Sequence, residues 1–318
     1  MSNNLEKINV RLVLAPMAGF TDKAMRQICQ ELGADITWSE MVSAEGIFRN
    51  QEKENKSLNL AEKYNFQEKN FWVQIFGKEA ISMSESAKII TQKIKPLGID
   101  INLGCPVKKA QKAGYGAIQM GDIKNVIEII KSIKKSTPLP LSIKTRLGLK
   151  SPEEILTLAP QLEKAGIDQL VIHARTLKGM FHEKPHWKII KKLNSLLKIP
   201  IIYNGGIKTP ADAKFYFDKT GCNTLMIGQA AIGNPWIFRE IKEFFKSGSF
   251  STPTQAEKKK TILKHAQLIK KYYGEKGFVT FRTQLSAYLK GHPQATALRA
   301  QTVRINNLEN VQDILKKM

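Results

Sequence analysis

The chain has 318 residues, 42% hydrophobic and 25% charged, which is enough for one large domain or for a barrel-sized domain with a small addition. Its 50 Lys and Arg residues exceed its 28 Asp and Glu residues by 22, and this excess favours a polyanionic partner. The three cysteines lie far apart without a CxxC pair, which excludes a disulfide framework and a cysteine-rich zinc site. No signal peptide and no apolar run of about 18 residues is visible. We therefore expect a soluble, cytoplasmic protein without a metal site.

Eight short apolar runs recur along the first three quarters of the chain, each of the length of a buried strand. They are rich in Ile, Leu and Val and lack clean alternation with polar residues, which is typical of a parallel sheet covered on both faces. In chain order the runs are LVLAPM, ITWSEMV, FWVQIFG, GIDINLG, LSIKTRLG, QLVIHAR, PIIYNGG and TLMIGQAA.

Stretches with helical spacing of apolar residues separate these runs, as in residues 123–134 and 151–165. Ser151-Pro152, followed by two glutamates, predicts a capped helix start and Gly166 predicts its end, while Thr209-Pro210 predicts a second start of the same kind. Strands that alternate with helices in this number predict a (β/α)8 TIM barrel. A doubly wound sheet is the alternative, but no GxGxxG follows the first strand.

The composition changes after about residue 240. SGSFSTPTQ (247–255) predicts a linker, and the residues beyond it have helical periodicity without strand-like runs. Residues 241–318 carry 15 Lys and Arg against 5 Asp and Glu, a net charge of +10. We predict a barrel domain over residues 1–240 and a small, basic, all-helical domain over residues 241–318. The alternative explanation of the charge is the solvated surface of an ordinary helical bundle.

The ends of the predicted strands carry the polar residues of interest, because active sites of TIM barrels lie at the C-terminal ends of the strands. Glycines after the seventh and eighth strands predict a phosphate site of backbone N–H groups, and Lys144, Arg146, His173 and Arg175 add cationic donors nearby. Cys105 follows the fourth strand, which places a thiol at the barrel mouth.

From these residues alone, structural roles remain open for each. Lys144 or Arg146 can belong to an ion pair inside the barrel, and His173 can be a buried structural histidine. The glycines can simply end a strand, and Cys105 can be buried. Cys29 and Cys222 are expected to be inert, small apolar residues.

Taken together and in order, the strand-end motifs resemble those of tRNA-dihydrouridine synthases. The motifs are LAPMAGFTDKAMR (14–26), INLGCPVKKAQKAGYGA (101–117), IKTRLG (143–148), VIHART (171–176), NGGI (204–207) and LMIGQAAIGNPWIF (225–238). FRTQLSAYLKG (281–291) resembles the helical tRNA-binding domain of that family more loosely, and the CPVKK run is most similar to bacterial B-type members.

The resemblance implies an enzyme that binds FMN in the barrel and reduces the C5–C6 double bond of particular uridines in tRNA with electrons from NADPH. Hydride would pass from flavin N5 to C6, and Cys105 matches the donor of the proton to C5, since an ordinary thiol is protonated at pH 7. Implied flavin contacts are Pro16, Met17, Ala18, Gln74, Lys144, His173, Asn204, Gly205, Gly206, Gly228 and Gln229. Candidate contacts of the flipped uracil are Asn102 and Arg175, and Arg282 and Lys290 are candidates for binding tRNA. No stable protein partner is implied.

Three positions depart from the family pattern. Gln229 stands where an Arg is common, Gly206 stands where an Asp is common, and Arg282-Thr283-Gln284 replaces a more basic cluster. Two other functions are considered: an FMN-dependent reductase of a free pyrimidine, similar to dihydroorotate dehydrogenase, and an RNA-binding protein with a decayed site. The basic helical domain argues against the first, and the joint presence of Cys105, Lys144 and His173 argues against the second.

Overall fold

The computed structural model describes residues 9–51 and 70–318 and contains a closed barrel of eight parallel strands. The first strand of the chain (Arg11–Leu14) pairs with the last (Thr224–Ile227), and Ile36–Trp38 pairs with Phe71–Phe76, so the barrel is closed. The barrel strands are β1 (Arg11–Leu14), β2 (Ile36–Trp38), β4 (Phe71–Phe76), β5 (Gly98–Leu103), β6 (Leu141–Arg146), β7 (Gln169–His173), β8 (Ile201–Asn204) and β9 (Thr224–Ile227). The predicted TIM barrel is therefore confirmed.

One predicted strand is divided in two. The run ITWSEMV forms β2 and a separate two-residue strand, β3 (Val42–Ser43), which pairs with the end of β4. Between them the Ser39 hydroxyl donates to the Glu40 carbonyl and accepts the backbone N–H of Gln74 at 3.0 Å. The side chain thus replaces a ladder hydrogen bond at the point where the chain leaves the barrel.

Helices follow the strands around the barrel and continue past its end. They are α1 (Lys23–Glu31), α2 (Ala44–Gln51), α3 (Ala80–Lys93), α4 (Lys108–Lys112), α5 (Ile123–Ser136), α6 (Glu154–Ala165), α7 (Trp187–Leu196), α8 (Pro210–Thr220), α9 (Ile237–Ser247), α10 (Gln255–Tyr273), α11 (Gly277–Tyr288), α12 (Ala295–Thr302) and α13 (Leu308–Lys317). Two short 3₁₀ turns cover Gly116–Gly121 and Gln229–Ala231. No helix within residues 9–51 and 70–318 has the length and apolar character needed to span a membrane.

The predicted helix ends are partly right. Thr209 caps α8 in a reciprocal capping box with Asp212, and Gly166 ends α6 with a left-handed φ of 106°. However, α6 begins at Glu154 rather than directly after Ser151, because the Ser151 hydroxyl accepts the N–H of Glu153 and closes a turn there. The Glu154 carboxylate accepts the N–H groups of three preceding residues, which satisfies this turn without extending the helix.

Alternation along each strand separates two layers of the core. Leu141 and Ile143 on β6 point outward into the layer shared with the helices, whereas Ser142 and Lys144 point into the barrel. The lower interior is filled by an apolar cluster in which the rings of Trp38 and Trp72 stack 5.3 Å apart. Between this apolar cluster and the C-terminal ends of the strands, the inward-facing side chains become polar, and the site lies there.

The C-terminal helices pack against the barrel through α1. Ala24 and Ile28 of α1 belong to the same buried cluster as the helices from α10 onward. The Tyr273 hydroxyl accepts the Lys23 N–H at 2.9 Å, and Tyr272 donates to Gln27 at 2.7 Å. Helix α9, in contrast, buries Ile237, Phe238 and Ile241 in the barrel's outer layer. The boundary predicted between residues 240 and 241 falls inside α9, and the division into two domains stays a prediction.

Candidate active site

A cavity of about 700 Å³ opens at the C-terminal ends of the strands. Fifteen of the sixteen predicted site residues line it: Pro16, Met17, Ala18, Gln74, Asn102, Cys105, Lys144, His173, Arg175, Asn204, Gly205, Gly206, Gly228, Gln229 and Lys290. Arg282 is the exception. The structure thus brings together residues spread over 275 positions of sequence, and their individual roles stay predictions.

One wall of the cavity is built from glycines after β8 and β9. Gly205 and Gly206 have φ values of 117° and 76°, which glycine adopts without strain. A Cβ on Gly205 would lie 2.8 Å from the His173 ring, and one on Gly206 would lie 2.7 Å from the Tyr216 hydroxyl. The N–H groups of Gly205, Gly206 and Gly228 donate to no backbone or side-chain acceptor in the described part of the chain. Unpaired N–H groups of this kind suit an anion.

Lys144 projects from β6 into the cavity and donates to the Asn204 side-chain oxygen at 3.0 Å. The Asn204 amide is held in place because its nitrogen donates to the Met226 carbonyl at 2.8 Å. Burial lowers the pKa of Lys144 to about 8, against the opposing effect of the Asp100 carboxylate. The amine is therefore mostly protonated at pH 7, and a nearby anion would stabilise its charged form.

His173 is neutral at pH 7. Burial, followed by the positive charges of Lys144, Arg146 and Arg175, lowers its pKa well below the ordinary value. The Arg175 guanidinium lies 3.1 Å from His173 Nε2. Because a guanidinium only donates, Nε2 accepts this hydrogen bond and the ring proton resides on Nδ1.

Arg146 has a supporting role that its position in the sequence did not reveal. Its guanidinium donates to the carbonyls of Gly104 at 3.0 Å, Thr176 at 2.9 Å and Met180 at 3.2 Å. It thereby ties the loop after β5 to the loop after β7. Within the described residues, neither Arg146 nor Lys144 forms an ion pair, so the internal pair considered from the sequence is absent there.

Sequence reasoning missed Phe181, which lies in the loop after β7 and lines the cavity with half of its surface exposed. The Arg146 guanidinium lies 5.5 Å from its ring centroid, and the His173 ring lies 5.9 Å from it. Its only signal was an aromatic residue within a polar loop that follows a barrel strand.

The Asn102 side chain fixes the backbone of Cys105 at the mouth of the cavity. The Asn102 side-chain oxygen accepts the N–H groups of Gly104 and Cys105, both at 3.0 Å. Gly116 packs so closely that a Cβ there would lie 3.0 Å from the Cys105 Cβ. Cys105 is half-buried, whereas the other two cysteines are buried, and burial raises the pKa of Cys222 to about 11.

The C-terminal helices contribute to the site in two ways. Lys290, just beyond α11, is exposed and lines the cavity. Gln284 is buried and donates to the Phe20 carbonyl at 2.9 Å and to Asp22 at 3.0 Å, so it fixes the first loop of the cavity. Arg282 is half-buried and donates to the Ile305 carbonyl at 2.9 Å.

Comparison with known proteins agrees with this arrangement. Residues 13–318 match the dihydrouridine synthase (Dus) family. The chain is 33% identical to the probable tRNA-dihydrouridine synthase of Aquifex aeolicus over 96% of this chain and 94% of that protein. It is 37% identical to tRNA-dihydrouridine synthase B of Pasteurella multocida over 88% of this chain and 84% of that protein. With the Escherichia coli protein of the same name it shares 35% identity over 89% and 87%.

Solved structures support the fold. A 2-naphthoyl-CoA reductase matches with a TM-score of 0.56 at 14% identity, over 73% of this chain and 50% of that one. Histamine dehydrogenase from Rhizobium sp. 4-9 matches with a TM-score of 0.58 at 11% identity, over 81% and 49%. The closed barrel with a polar cavity at the C-terminal ends of its strands is the active-site arrangement of TIM-barrel enzymes. The chain belongs to the dihydrouridine synthase family, whose members are flavin-dependent enzymes.

Proposed function

We propose that this protein reduces the C5–C6 double bond of specific uridines in tRNA to 5,6-dihydrouridine, with FMN as cofactor and NADPH as electron donor. The observation that carries the proposal is the single cavity that unites Cys105, Lys144 and the glycine wall in a chain of this family. A cytoplasmic location stays a prediction.

The residues present fit a flavin mononucleotide on two observations. Gly205, Gly206 and Gly228 line one wall and have unpaired N–H groups within the described part of the chain, which suits a phosphate. Lys144, next to Asn204, offers an amine that pairs with no carboxylate among the described residues, which suits the anionic edge of a reduced ring. Gln229 is exposed beside the glycines, so backbone N–H groups rather than an Arg side chain would hold the phosphate. Bound FMN would supply the hydride for uracil C6 and would be reduced again by NADPH.

Side chains of the protein would supply the proton and the contacts to the uracil. Cys105 would hold the proton destined for C5 of the uracil, at a position fixed by two backbone hydrogen bonds. Asn102 and Arg175 line the same mouth and would contact the polar edge of a uracil that has left its stack. Neutral His173 adds an Nδ1–H donor without adding positive charge.

A large anionic substrate is favoured over a free pyrimidine by the C-terminal helices. Residues 241–318 carry a net charge of +10, and Lys290 brings part of it to the rim of the cavity. A small metabolite would need no basic extension of this size. We therefore assign tRNA binding to this region, with Lys290 and Arg282 among its contacts.

The central test measures dihydrouridine by mass spectrometry in unmodified tRNA incubated with the purified protein, FMN and NADPH. Cys105→Ala is expected to retain flavin reduction by NADPH and to lose product formation by about 10²-fold, the scale of a general acid. Cys222→Ala, which removes a buried thiol, is the matched control and should behave as the wild type. Normal turnover by Cys105→Ala would exclude the thiol as proton donor.

A second test concerns the tRNA contact. Lys290→Glu should weaken tRNA binding and reduce its salt dependence, since each neutralised phosphate contributes a slope of about −0.7 to −0.9 in log K against log salt. Lys131→Glu on α5 changes an exposed charge away from the cavity and serves as control. Equal affinities and equal slopes for the two variants would favour the free-pyrimidine reductase.

A further inference from the structure

A buried carboxylate, Asp100, lies beneath the cavity and outside the set of residues assigned above. It occupies an inward position of β5, paired in register with Gln74 of β4, and its side chain is inaccessible to solvent. Gln74 Nε2 donates to Asp100 Oδ2 at 2.6 Å. Burial raises the pKa of Asp100 to about 6, and the Gln74 hydrogen bond and the positive charge of Lys144 oppose this shift. Asp100 is therefore mostly ionised at pH 7.

A chain of hydrogen bonds runs from Asp100 toward the mouth of the cavity. It ends at the loop after β5 that contains Gly104 and Cys105, the Cys105 loop. Gln74 donates to Asp100 through its nitrogen, so its oxygen faces Asn102 and accepts the Asn102 Nδ2–H at 3.0 Å. The Asn102 oxygen is thereby turned toward the loop, where it accepts the N–H groups of Gly104 and Cys105. We call this series, Asp100–Gln74–Asn102–Cys105, the amide relay.

The orientation of the Gln74 and Asn102 amides in the relay depends on Asp100. An amide side chain has a donor end and an acceptor end, and nothing in its shape decides which way it faces. A carboxylate only accepts, so Asp100 admits one orientation of Gln74. That orientation dictates the orientation of Asn102. If both amides were reversed, an NH₂ group would face the two loop N–H groups, and these donors would lose their acceptor.

We infer that Asp100 is a positioning residue, which fixes the orientation of Gln74 and Asn102 and thereby holds the Cys105 loop in the arrangement used for proton delivery. The inference rests on the proposed function for its catalytic consequence, but not for its structural one. Asp100 does not line the cavity; it reaches the Cys105 loop only through the two amides, and its charge also raises the pKa of Lys144.

Asp100→Asn tests the inference with little change of shape. An asparagine can accept from Gln74 or donate to it, so the relay loses its fixed direction and the loop samples both arrangements. The first readout is the rate of Cys105 alkylation by iodoacetamide in flavin-free protein, which is specific because Cys29 and Cys222 are buried. We expect this rate to rise at least threefold. Ser142→Ala, at the residue that faces Asp100 across the β5–β6 pair, leaves the relay intact and should not change it.

The second readout compares the two half-reactions of the loaded enzyme. Reoxidation of the reduced flavin by tRNA should fall at least tenfold in Asp100→Asn, because it requires the thiol, while reduction by NADPH should stay within about threefold of the wild type. An equal fall in both would show a general structural or charge effect and overturn the inference. So would an unchanged alkylation rate. Asp100→Ser, too short to reach Gln74, repeats the test if the amide variant does not fold.

The two proposals fail in distinguishable ways. If the wild type forms no dihydrouridine, the proposed function fails, and the alkylation rates of Asp100→Asn and Ser142→Ala still decide whether Asp100 positions the loop. If the wild type is active but Asp100→Asn matches it in both readouts, the proposed function stands and the role of Asp100 is refuted.

Discussion

Replacing Lys144 by Met should stabilise the flavin-free protein while weakening its hold on the cofactor. Burial lowers the pKa of Lys144 from 10.5 to about 8, so its charge is unfavourable in the native state at neutral pH. Each pKa unit corresponds to 1.36 kcal/mol, which makes the penalty about 3 kcal/mol. Met is of similar length and carries no charge, but the variant loses the hydrogen bond to Asn204, worth about 1 kcal/mol. The free energy of unfolding should therefore rise by about 2 kcal/mol at pH 7.

The difference in unfolding free energy between Lys144→Met and the wild type depends on pH, and its sign follows from the pKa shift of Lys144. The native pKa of Lys144 lies below the unfolded value, so between about pH 8 and 10.5 the unfolded chain binds more protons and the wild type gains stability as pH rises. The penalty is complete below pH 8 and absent above 10.5. The advantage of Lys144→Met should thus be constant at neutral pH, shrink above pH 8, and reverse near pH 10.5, where only the lost hydrogen bond remains.

Urea unfolding of flavin-free wild type and Lys144→Met at pH 7, 9 and 10.5 measures these differences, and flavin titration of both proteins measures cofactor affinity. Asn204→Leu leaves the amine but removes this hydrogen bond together with the one to the Met226 carbonyl, so its effect sets an upper limit on the hydrogen-bond contribution. A variant that is less stable than the wild type at pH 7, with a parallel pH dependence, would refute the reasoning that the buried amine is costly.

Three further substitutions test the scaffold of the site. Gly206→Ala places a Cβ 2.7 Å from the Tyr216 hydroxyl at a φ of 76°, so we expect a loss of about 1–3 kcal/mol in unfolding free energy and less bound flavin after purification. Gln284→Leu removes one donor of the buried Asp22 carboxylate, which keeps the Met25 N–H, and should cost about 1–3 kcal/mol at pH 7, and less at pH 5, because burial raises the Asp22 pKa to about 6. Gly98→Ala would bring a Cβ within 2.4 Å of an indole ring in the barrel, and differential scanning calorimetry should show a loss near 3 kcal/mol from overpacking.

The barrel and the residues of its mouth were predictable because both follow from local pattern. A strand that is apolar until its last residue, as in β8, indicates a buried barrel strand that ends at a polar mouth. The glycines after β8 were predictable for the same reason, since the turn they make is decided by neighbouring residues. Strand alternation then placed Lys144 and His173 on the same inner surface.

The features that the sequence did not predict depend on strand register, on the choice between alternative turns, and on the paths of loops. Asp100 faces Gln74 only because β4 and β5 pair in one particular register, and a shift of one residue would turn Asp100 outward. The start of α6 at Glu154 depends on the competition between a side-chain turn at Ser151 and a helical cap, which are close in energy. Arg146 was recognised as a cation at the mouth, but its acceptors are carbonyls of two loops whose paths no local pattern describes.

The contact between Gln284 and the first loop changes how the two parts of the chain should be separated by experiment. Removing the residues after Ser247 would take away the buried partners of Ala24 and Ile28 as well as the Gln284 donors to Phe20 and Asp22. Because Phe20 lines the cavity, a truncated barrel would lose cofactor binding through disorder of this loop, whether or not the removed helices bind tRNA. Substitution of Lys290, which is exposed on the rim of the cavity, tests the proposed tRNA contact separately from the integrity of the proposed flavin site.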